Sequence, residues 1–493
     1  MPSAQLPTMR ATAHRWMLYL CGAILLALCL WWPRHITEHQ IESDAAANLQ
    51  MSLNLAHHGI ISLDSVAPFK PTNYREPVPV VVSAVAVGLL DAALGKSPRA
   101  EAYFSGERAR FVKLQNIFWM LLLMGGIYYA CILFTGSRLI GLAGALAVNF
   151  RLPASPTGLL SLGFDDLLSD FPAAALLVWG SALLAKGLQE SRWSPMVAAG
   201  LTFGMLALTK AAFLYVFAGV MVYLSVDFAI RSRGRQDRSK SAVHLVLLAL
   251  AFAVVVTPWM TRNYVYLDSF GIAGRGGGVL YLRAAKDQMT AEEYRGSFYV
   301  WAPPKLRPLV GAVLGYSKAD LQRNGRLQRI YREPDSDFHT DDIAAEAAGR
   351  PDQAITYYHK ARAKRVALER KLADSPSPSV AVDEAMKEEA LSIIRANPLK
   401  HLAMTIPFLW RGAFTVFPIL LIALSCALLT RRFEMSSFVV PAFGVVMFYG
   451  IFTHYTPRYS VPAVGVTIVA ALVLVLHAWA SIRVRRRSAA VLQ

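Results

Sequence analysis

Long apolar stretches recur along the chain and are separated by short polar segments. An α-helix needs about 20 mostly apolar residues to cross the hydrocarbon core of a bilayer. Stretches of about this length lie at 16–32, 78–94, 114–134, 167–186, 195–210, 212–230, 241–261, 413–430, 436–452 and 461–482. The pattern predicts an all-α polytopic membrane protein with about 10 (9-13) transmembrane helices.

One apolar segment, from Leu139 to Phe164, is interrupted by Arg151, Pro153 and Pro156. Irregular backbone is not tolerated where it faces lipid, because its N–H and C=O groups find no hydrogen-bond partner there. We therefore expect a re-entrant or interfacial segment at this position rather than a complete crossing.

Composition and charge agree with a membrane location. The chain has 493 residues, of which 55% are hydrophobic, and its mean hydropathy is +0.38, which excludes an ordinary soluble domain. The net charge of +17 does not indicate nucleic-acid binding, because the basic residues cluster beside apolar stretches as they do in cytoplasmic loops. We therefore expect both termini on the cytoplasmic side, together with the basic clusters at 96–113, 231–240, 431–432 and 483–487. Asp44 is then expected on the outer side.

A long polar segment divides the chain into three predicted parts. They are a transmembrane catalytic module at 1–262 with a first outer loop at 33–76, an extracytoplasmic loop domain at 263–400, and C-terminal transmembrane helices with a basic tail at 401–493. In the loop domain, apolar residues recur at three-to-four spacing within 352–372 and 382–396. This spacing predicts that the loop domain is helical.

Short polar motifs stand at the ends of the apolar stretches in a definite order. They are Asp44, Asn54–Gly59, Tyr74–Pro77, Gly204–Lys210, Thr257–Tyr264, Gly276–Leu280, Ala396–Leu399 and Pro457–Tyr459. Their order and placement resemble the bacterial members of the protein mannosyltransferase and aminoarabinose transferase superfamily, which are membrane glycosyltransferases of family 39 type with the GT-C fold. The resemblance covers most of the chain and is patchy between 281 and 380.

The resemblance implies a glycosyltransferase of the bacterial cytoplasmic (inner) membrane. It would move a sugar from a polyprenyl-phosphate donor to a lipid, glycan or protein acceptor on the outer face, with inversion at the anomeric carbon. That chemistry needs a carboxylate to take a proton from the acceptor, which is typically worth about 10²–10⁴ in rate. It also needs cations at the depth of the lipid phosphate to stabilise the leaving group.

Three aspartates are candidates for the catalytic carboxylates: Asp44, Asp165 and Asp166. Asp44 is either the general base, or the group that orients the acceptor, or simply the N-cap of a surface helix. Asp165 and Asp166, with Asp170 a turn later, form either a second acidic element or a solvated capping patch. Asp44 and Asp166 together would suit a divalent cation, so a metal cofactor is left open.

Four cations are candidates for binding the donor phosphate: Arg75, Arg262, Arg458 and Lys210. Arg262 and Arg458 stand at the outer ends of apolar stretches, where an arginine either meets a lipid phosphate or extends to the interface. Lys210 lies between two apolar stretches and either faces a cavity or occupies an ordinary helix junction. Arg75–Pro77 reads Arg-Glu-Pro where the aminoarabinose transferases have Glu-Lys-Pro, so individual roles are not assigned here.

One glycine-rich segment has two interpretations. The glycine-rich segment 274–278 is either a phosphate cradle or a flexible loop, and it lacks the strand-to-helix setting of known cradles.

A transporter or flippase of lipid-linked sugars would also place cations at the outer face, but it would be expected to show inverted repeats. A non-catalytic protein of envelope-glycan assembly is the third alternative.

Overall fold

The computed structural model describes residue 19 and residues 22–97, 99–149, 164–231, 238–375 and 378–491; side chains at 231, 238–241 and 483–491 are not described. All regular structure in these ranges is helical. The predicted interruption at Arg151, Pro153 and Pro156 lies outside the described residues, as do 232–237 of the basic segment and most of 16–21.

The membrane part of the chain contains two groups of helices. The first is α1 (22–31), α2 (Ser43–His58), α3 (Pro77–Leu94), α4 (Gly106–Lys113), α5 (Gln115–Thr135), α6 (Arg138–Ala147), α7 (Asp170–Glu190), α8 (Trp193–Thr209), α9 (Ala212–Arg231) and α10 (Arg238–Leu267). The second is α18 (Thr405–Ala413), α19 (Val416–Leu429), α20 (Phe433–Phe452) and α21 (Val464–Val491).

Between these groups lies a run of polar helices. It comprises α11 (Gly276–Ala284), α12 (Ala291–Val300), α13 (Arg307–Leu314), α14 (His339–Ala348), α15 (Tyr357–Lys371), α16 (Pro378–Ala396) and α17 (Pro398–Ala403). Short 3₁₀ helices lie at Trp32–His35, Ala100–Tyr103, Ala285–Gln288, Lys318–Leu321, Gln328–Ile330 and Pro457–Ala463. The helices expected within 352–372 and 382–396 are confirmed, and the Thr356 side chain caps the first by accepting a hydrogen bond from the His359 amide.

Within the described residues, seven helices are long and apolar enough to cross a membrane, or eight if one bent pair counts as a single span. The bent pair, Pro398–Ala413 with Val416–Leu429, turns through 109°. Two further apolar helices, α6 and α8, are shorter. The prediction of an all-helical polytopic membrane protein is confirmed.

The buried helix α7 packs against α5, α8 and α20. Close packing continues between α8 and α10, where glycines bring the two backbones together. A Cβ atom on Gly200 would lie 2.4 Å from the carbonyl oxygen of Leu248. Small residues at helix contacts allow this approach, which is how apolar helices associate without a hydrophobic driving force between them.

The stretch 96–113, predicted to be cytoplasmic, lies on the same side as Asp44. The Ile41 amide donates to the Phe104 carbonyl (2.7 Å), and the Gly106 amide donates to the Glu38 carbonyl (3.0 Å). Phe104 and Gly106 therefore lie beside residues 38–41, which lead directly into α2. The prediction that this stretch and Asp44 lie on opposite faces of the membrane is therefore wrong.

The reason is the arrangement of α2 and α3, which run side by side in the same direction. The Ser52 hydroxyl donates to the Val80 carbonyl (2.9 Å) in the first turn of α3, and His57 Nε2 lies 2.8 Å from Asp91 Oδ2 near the far ends of both helices. Helix α3 has the length and composition of a span, but it ends beside α2. Arg108, in α4, lies near the end of α3. Its Nη1 atom is 3.4 Å from Asp91 Oδ1, so this basic side chain has a local counter-charge.

Candidate active site

Three arginines from distant parts of the chain converge on the carboxylate of Asp44. Asp44 Oδ1 accepts from Arg75 Nη1 at 3.1 Å and from Arg275 Nη1 at 3.0 Å, and Asp44 Oδ2 accepts from Arg458 Nη2 at 2.7 Å. Hydrogen bonds between ionised groups are shorter and stronger than neutral ones. We call Asp44, Arg75, Arg275 and Arg458 the Asp44 cluster.

Each member of the Asp44 cluster is positioned at a helix end. Asp44 lies in the first turn of α2, and Arg275 directly precedes α11. Arg458 lies in the 3₁₀ helix that follows α20. The N-cap position of α2 is occupied by Glu42, so Asp44 is not the N-cap and its carboxylate binds arginine side chains instead.

The Arg75 guanidinium is fixed from behind by α2. Its Nε atom donates to Asn48 Oδ1 at 2.8 Å, and Asn48 Nδ2 donates to the Leu167 carbonyl at 2.7 Å. The Arg75 side chain is only 3% exposed, whereas Arg275 and Arg458 are 24% and 31% exposed. Arg75 is therefore the fixed member of the cluster, and the other two arginines face open space.

A second, buried carboxylate extends the cluster to Lys210. Arg458 Nε lies 3.3 Å from Asp170 Oδ2, and Lys210 Nζ lies 2.5 Å from Asp170 Oδ1. Asp170 begins α7 and Lys210 follows the end of α8, so antiparallel helices bring both to one end of the bundle. Lys210 also lies under the Tyr459 ring, 5.2 Å from its centroid.

The charges around Asp44 control its ionisation. Burial acts to raise the pKa of Asp44, but the positive charges of Arg275, Arg75 and Arg458 outweigh it and hold the pKa well below its usual range. The carboxylate is therefore ionised at any physiological pH. A carboxylate with so low a pKa is a weak base for as long as all three arginines bind it.

The structure places Asp165 and Asp166 in a different set of contacts. Asp165 accepts from the Thr37 amide (2.8 Å) and hydroxyl (2.6 Å) and lies 3.4 Å from Lys113 Nζ. Asp166 Oδ1 lies 3.6 Å from His39 Nε2. These contacts tie the start of α7 to the segment before α2, and they do not join the Asp44 cluster.

Arg262 also lies outside the Asp44 cluster. Its Nη1 atom donates to the Thr72 carbonyl (3.0 Å) and to Asn263 Oδ1 (2.9 Å), and its guanidinium stacks over the Trp259 ring at 4.8 Å. These contacts hold the segment that leads to Arg75. Arg262 is therefore placed to position that loop.

The glycine-rich segment is not free to cradle a phosphate. The amides of Gly277 and Gly278 each donate to the Asp383 carboxylate at 2.9 Å. A Cβ atom on Gly277 would lie 1.9 Å from the Asp383 backbone oxygen, so glycine is required there by the close approach of α16. The group that this segment contributes to the site is the side chain of Arg275, which the sequence motifs did not single out.

The residues around Asp44 do not fit a divalent cation. Both carboxylate oxygens accept hydrogen bonds from guanidinium groups, and three positive charges surround the position a metal would need. Asp166, the second candidate ligand, faces His39 instead. In the part of the chain that the structure describes, no group of three His, Cys, Asp or Glu side chains is arranged to hold a metal ion.

The Asp44 cluster opens into a cavity of about 440 Å³. Its lining includes Asp44, Tyr74, Arg275, Arg458 and Tyr459. A second cavity of about 700 Å³ has a largely apolar lining that includes Trp301, Phe414, Val416, Val461 and Val464. Arg332 and Thr456 line both cavities, so the two are adjacent.

No family model and no curated protein matches the chain. Among solved structures it is similar to ArnT from Cupriavidus metallidurans bound to undecaprenyl phosphate, with 16% identity and a TM-score of 0.37 over 91% of this chain and 78% of that chain. It is also similar to the oligosaccharyltransferase AglB from Archaeoglobus fulgidus in complex with an inhibitory peptide and a dolichol-phosphate, with 14% identity and a TM-score of 0.47 over 96% and 52%.

A further similar structure is the arabinosyltransferase EmbB from Mycobacterium smegmatis, with 13% identity and a TM-score of 0.34 over 96% of this chain and 42% of that chain. All of these proteins are GT-C glycosyltransferases, the class that the sequence motifs resemble. Every TM-score lies below 0.5.

Proposed function

We propose that this protein is an integral-membrane inverting glycosyltransferase that uses a polyprenyl-phosphate sugar and an envelope acceptor. The observation that carries the proposal is the Asp44 cluster, a half-buried carboxylate that three arginines contact at the mouth of a cavity. The cluster supplies both groups that glycosyl transfer from a phosphate needs. One is a base for the acceptor, and the other is a set of cations for the departing phosphate.

Arg275 and Arg458 are the cations placed to bind the donor phosphate. Both line the cavity, and both are more exposed than Arg75. A guanidinium presents a planar fork of N–H groups that matches two phosphate oxygens at once. Asp170 keeps Arg458 and Lys210 together, so a phosphate bound to Arg458 also lies near the positive charge of Lys210.

Donor binding also activates Asp44 on this account. When a phosphate draws Arg275 and Arg458 away from Asp44, two of the charges that lower its pKa are neutralised and the carboxylate becomes a stronger base. Asp44 then accepts the proton from the acceptor hydroxyl or amine. The acceptor atom forms a bond to the anomeric carbon, and the bond from that carbon to the phosphate oxygen breaks, leaving its electron pair on the phosphate.

The position of the cluster in the bundle supports an outer-face site. Asp170 begins α7, Lys210 follows α8 and Arg458 follows α20, so all three lie at the same end of the helices. The basic pair Arg431–Arg432 precedes α20 and therefore lies at the opposite end. Because basic loops favour the cytoplasmic side, we place the Asp44 cluster on the extracytoplasmic face of the bacterial inner membrane.

Release of the lipid product tests the proposal. Purified protein in nanodiscs would receive an isotope-labelled polyprenyl-phosphate sugar and envelope extract as the source of acceptor. The proposal expects free polyprenyl phosphate in amounts equal to the sugar transferred. Movement of intact sugar lipid between leaflets of a proteoliposome, without release of polyprenyl phosphate, would instead show a transporter.

Chelation of divalent cations is expected to leave the transfer rate unchanged to within about twofold, because Asp44 is bound by guanidinium groups rather than by other carboxylates. The measurement is the initial rate of polyprenyl-phosphate release after dialysis against EDTA, with and without added Mg²⁺ or Mn²⁺. A rate that falls on chelation and returns with either cation would show that a metal takes part.

A further inference from the structure

A second group of basic side chains lies where the two cavities adjoin. Arg332 lines both cavities, His454 lines the smaller one and Arg411 lines the larger one. Arg411 Nη1 donates to the His454 carbonyl at 3.3 Å. Lys286 is buried near them, and its pKa lies well below the ordinary value because of burial and the charges of Arg411 and Arg332. We call Lys286, Arg332, Arg411 and His454 the junction cluster.

Among the described residues the cations of the junction cluster form no direct ion pair, although Glu333 acts on Arg411 and Asp287 acts on Lys286 from further away. Among the residues whose side chains are described, no Asp or Glu oxygen lies within 4.0 Å of the charged nitrogens of Lys286, Arg332 or Arg411. The cations lie over aromatic rings instead, at 4.2 Å for Arg332 over Tyr358, 5.0 Å for Arg411 over Trp301 and 5.6 Å for Lys286 over Phe408. A ring face stabilises a cation without using its N–H groups, which stay available to a ligand.

Several other basic residues of the polar helices form direct ion pairs. Arg283 Nη1 lies 2.7 Å from Asp287 Oδ1, and Arg365 Nε lies 2.8 Å from Glu369 Oε1. Arg326 also stacks on a tyrosine, but it forms ion pairs as well. Lys286 is buried, and Arg332 and Arg411 are half-buried, without a direct ion pair, so their N–H groups can bind an anion that enters the cavities.

His454 supplies a second, independent sign of a ligand. Its Nδ1 atom is buried and has no hydrogen-bond partner among the described residues, and the side chain lines the smaller cavity. Burial and the nearby charges of Lys286, Arg411 and Arg332 hold the pKa of His454 well below its ordinary value. The ring is therefore neutral and has one N–H to donate to an anion.

We propose that the junction cluster binds a phosphate group, distinct from the donor phosphate bound by Arg275 and Arg458. A phosphate offers oxygens to both arginine forks at once, which a single carboxylate does not, and the Lys286 and His454 side chains add further donors. The inference rests on the proposed function and narrows its substrates. The second phosphate belongs either to a phosphorylated acceptor or to a diphosphate donor, which would release polyprenyl diphosphate in place of polyprenyl phosphate. Either substrate would lie across the adjoining cavities.

The chain's own sequence supports a specific role for this cluster. Lys286 and Arg332 lie between 281 and 380, where the motif resemblance is patchy. Arg411 follows in α18, just before the bend that separates α18 from α19. The cluster therefore draws mainly on the segment where the motif resemblance is patchy.

Calorimetric titration with inorganic phosphate tests the proposal. Wild-type protein in phosphatidylcholine nanodiscs would first be saturated with undecaprenyl phosphate, so that the donor site is filled. We expect one further phosphate to bind, and each of Arg332→Gln and Arg411→Gln to weaken that binding about tenfold or more. Arg332 lies in a loop whereas Arg411 lies within α18, so Arg332→Gln keeps the test valid if Arg411→Gln fails to fold.

Arg326→Gln is the matched control. Arg326 stacks over Tyr316 at 4.8 Å as Arg332 does over Tyr358, but it is paired with Asp320 and Glu292 and lines neither cavity. Unchanged phosphate affinity in this variant supports a specific site. Equal weakening in all three variants, or no phosphate binding by the wild type, overturns the proposal.

Lipid probes then distinguish the two sources of the phosphate. If undecaprenyl diphosphate displaces the bound inorganic phosphate, the site binds a phosphate of the donor. If the inorganic phosphate stays bound, the site binds a phosphate of the acceptor. Displacement of the inorganic phosphate by undecaprenyl monophosphate, with dependence on Arg332, would show a single phosphate site and overturn the proposal. Because binding needs no turnover, these results are separate from the sugar-release assay that tests the proposed function.

Discussion

Asp44→Asn is expected to lower the rate of sugar transfer by about 10²–10⁴-fold, the usual contribution of a general base. Asparagine keeps the shape of the side chain but cannot take a proton from the acceptor. It also replaces one oxygen that accepts from arginine with an NH₂ group that donates. The measurement is the single-turnover rate of polyprenyl-phosphate release, together with the thermal unfolding midpoint of the variant in nanodiscs.

Asp165→Asn is the control for this prediction. Asp165 also accepts several hydrogen bonds and faces a cation, Lys113, but it lies outside the Asp44 cluster. We expect it to lower the free energy of unfolding by about 1–3 kcal/mol while the transfer rate changes little. If Asp165→Asn lost as much activity as Asp44→Asn at equal folded protein, the assignment of Asp44 as the base would be wrong.

Arg458→Lys is expected to slow transfer by about 10²–10³-fold, the cost of removing one donor that stabilises developing negative charge. Arg458 bridges two carboxylates, with Nη2 at 2.7 Å from Asp44 Oδ2 and Nε at 3.3 Å from Asp170 Oδ2. A lysine keeps the charge, but its single ammonium group lacks the planar fork and cannot span both partners and a phosphate. The readout is the rate constant at saturating donor, because phosphate stabilisation grows as the bond breaks.

Arg262→Lys provides the comparison for Arg458. The Arg262 guanidinium holds the Thr72 carbonyl and stacks on Trp259, away from the Asp44 cluster. Its replacement is expected to slow transfer by less than about tenfold, through loosening of the loop that carries Arg75. A loss equal to that of Arg458→Lys would place the donor phosphate at Arg262 instead.

The sequence motifs named most of the residues that meet in the site, because their order relative to the apolar stretches carries information about which helix ends they occupy. Asp44, Arg75, Arg458 and Lys210 come from four separate motifs and belong to one connected set of ion pairs. Arg275 was missed. It stands beside glycines that suggested a backbone ligand, and only the contact with Asp383 shows that those amides are already used.

The local sequence could not show which of the carboxylates around the start of α7 joins the site. Asp165, Asp166 and Asp170 lie within a turn or so of one another, and each suits a helix start equally well. Asp170 reaches Lys210 and Arg458, whereas Asp165 reaches Lys113 and Thr37, and these pairings are set by tertiary packing. Composition likewise could not show that α3, an apolar helix of span length, packs along α2, or that the chain after it returns to the segment before α2.

Mass spectrometry of envelope lipids and glycans tests the central claim most directly. A strain lacking the protein would be compared with strains restored by wild type, Asp44→Asn or Asp165→Asn at matched protein levels. We predict that one envelope component loses the mass of one sugar in the deletion strain, and that wild type and Asp165→Asn restore it while Asp44→Asn does not. Full restoration by Asp44→Asn would contradict the account, because transfer would then proceed without its base.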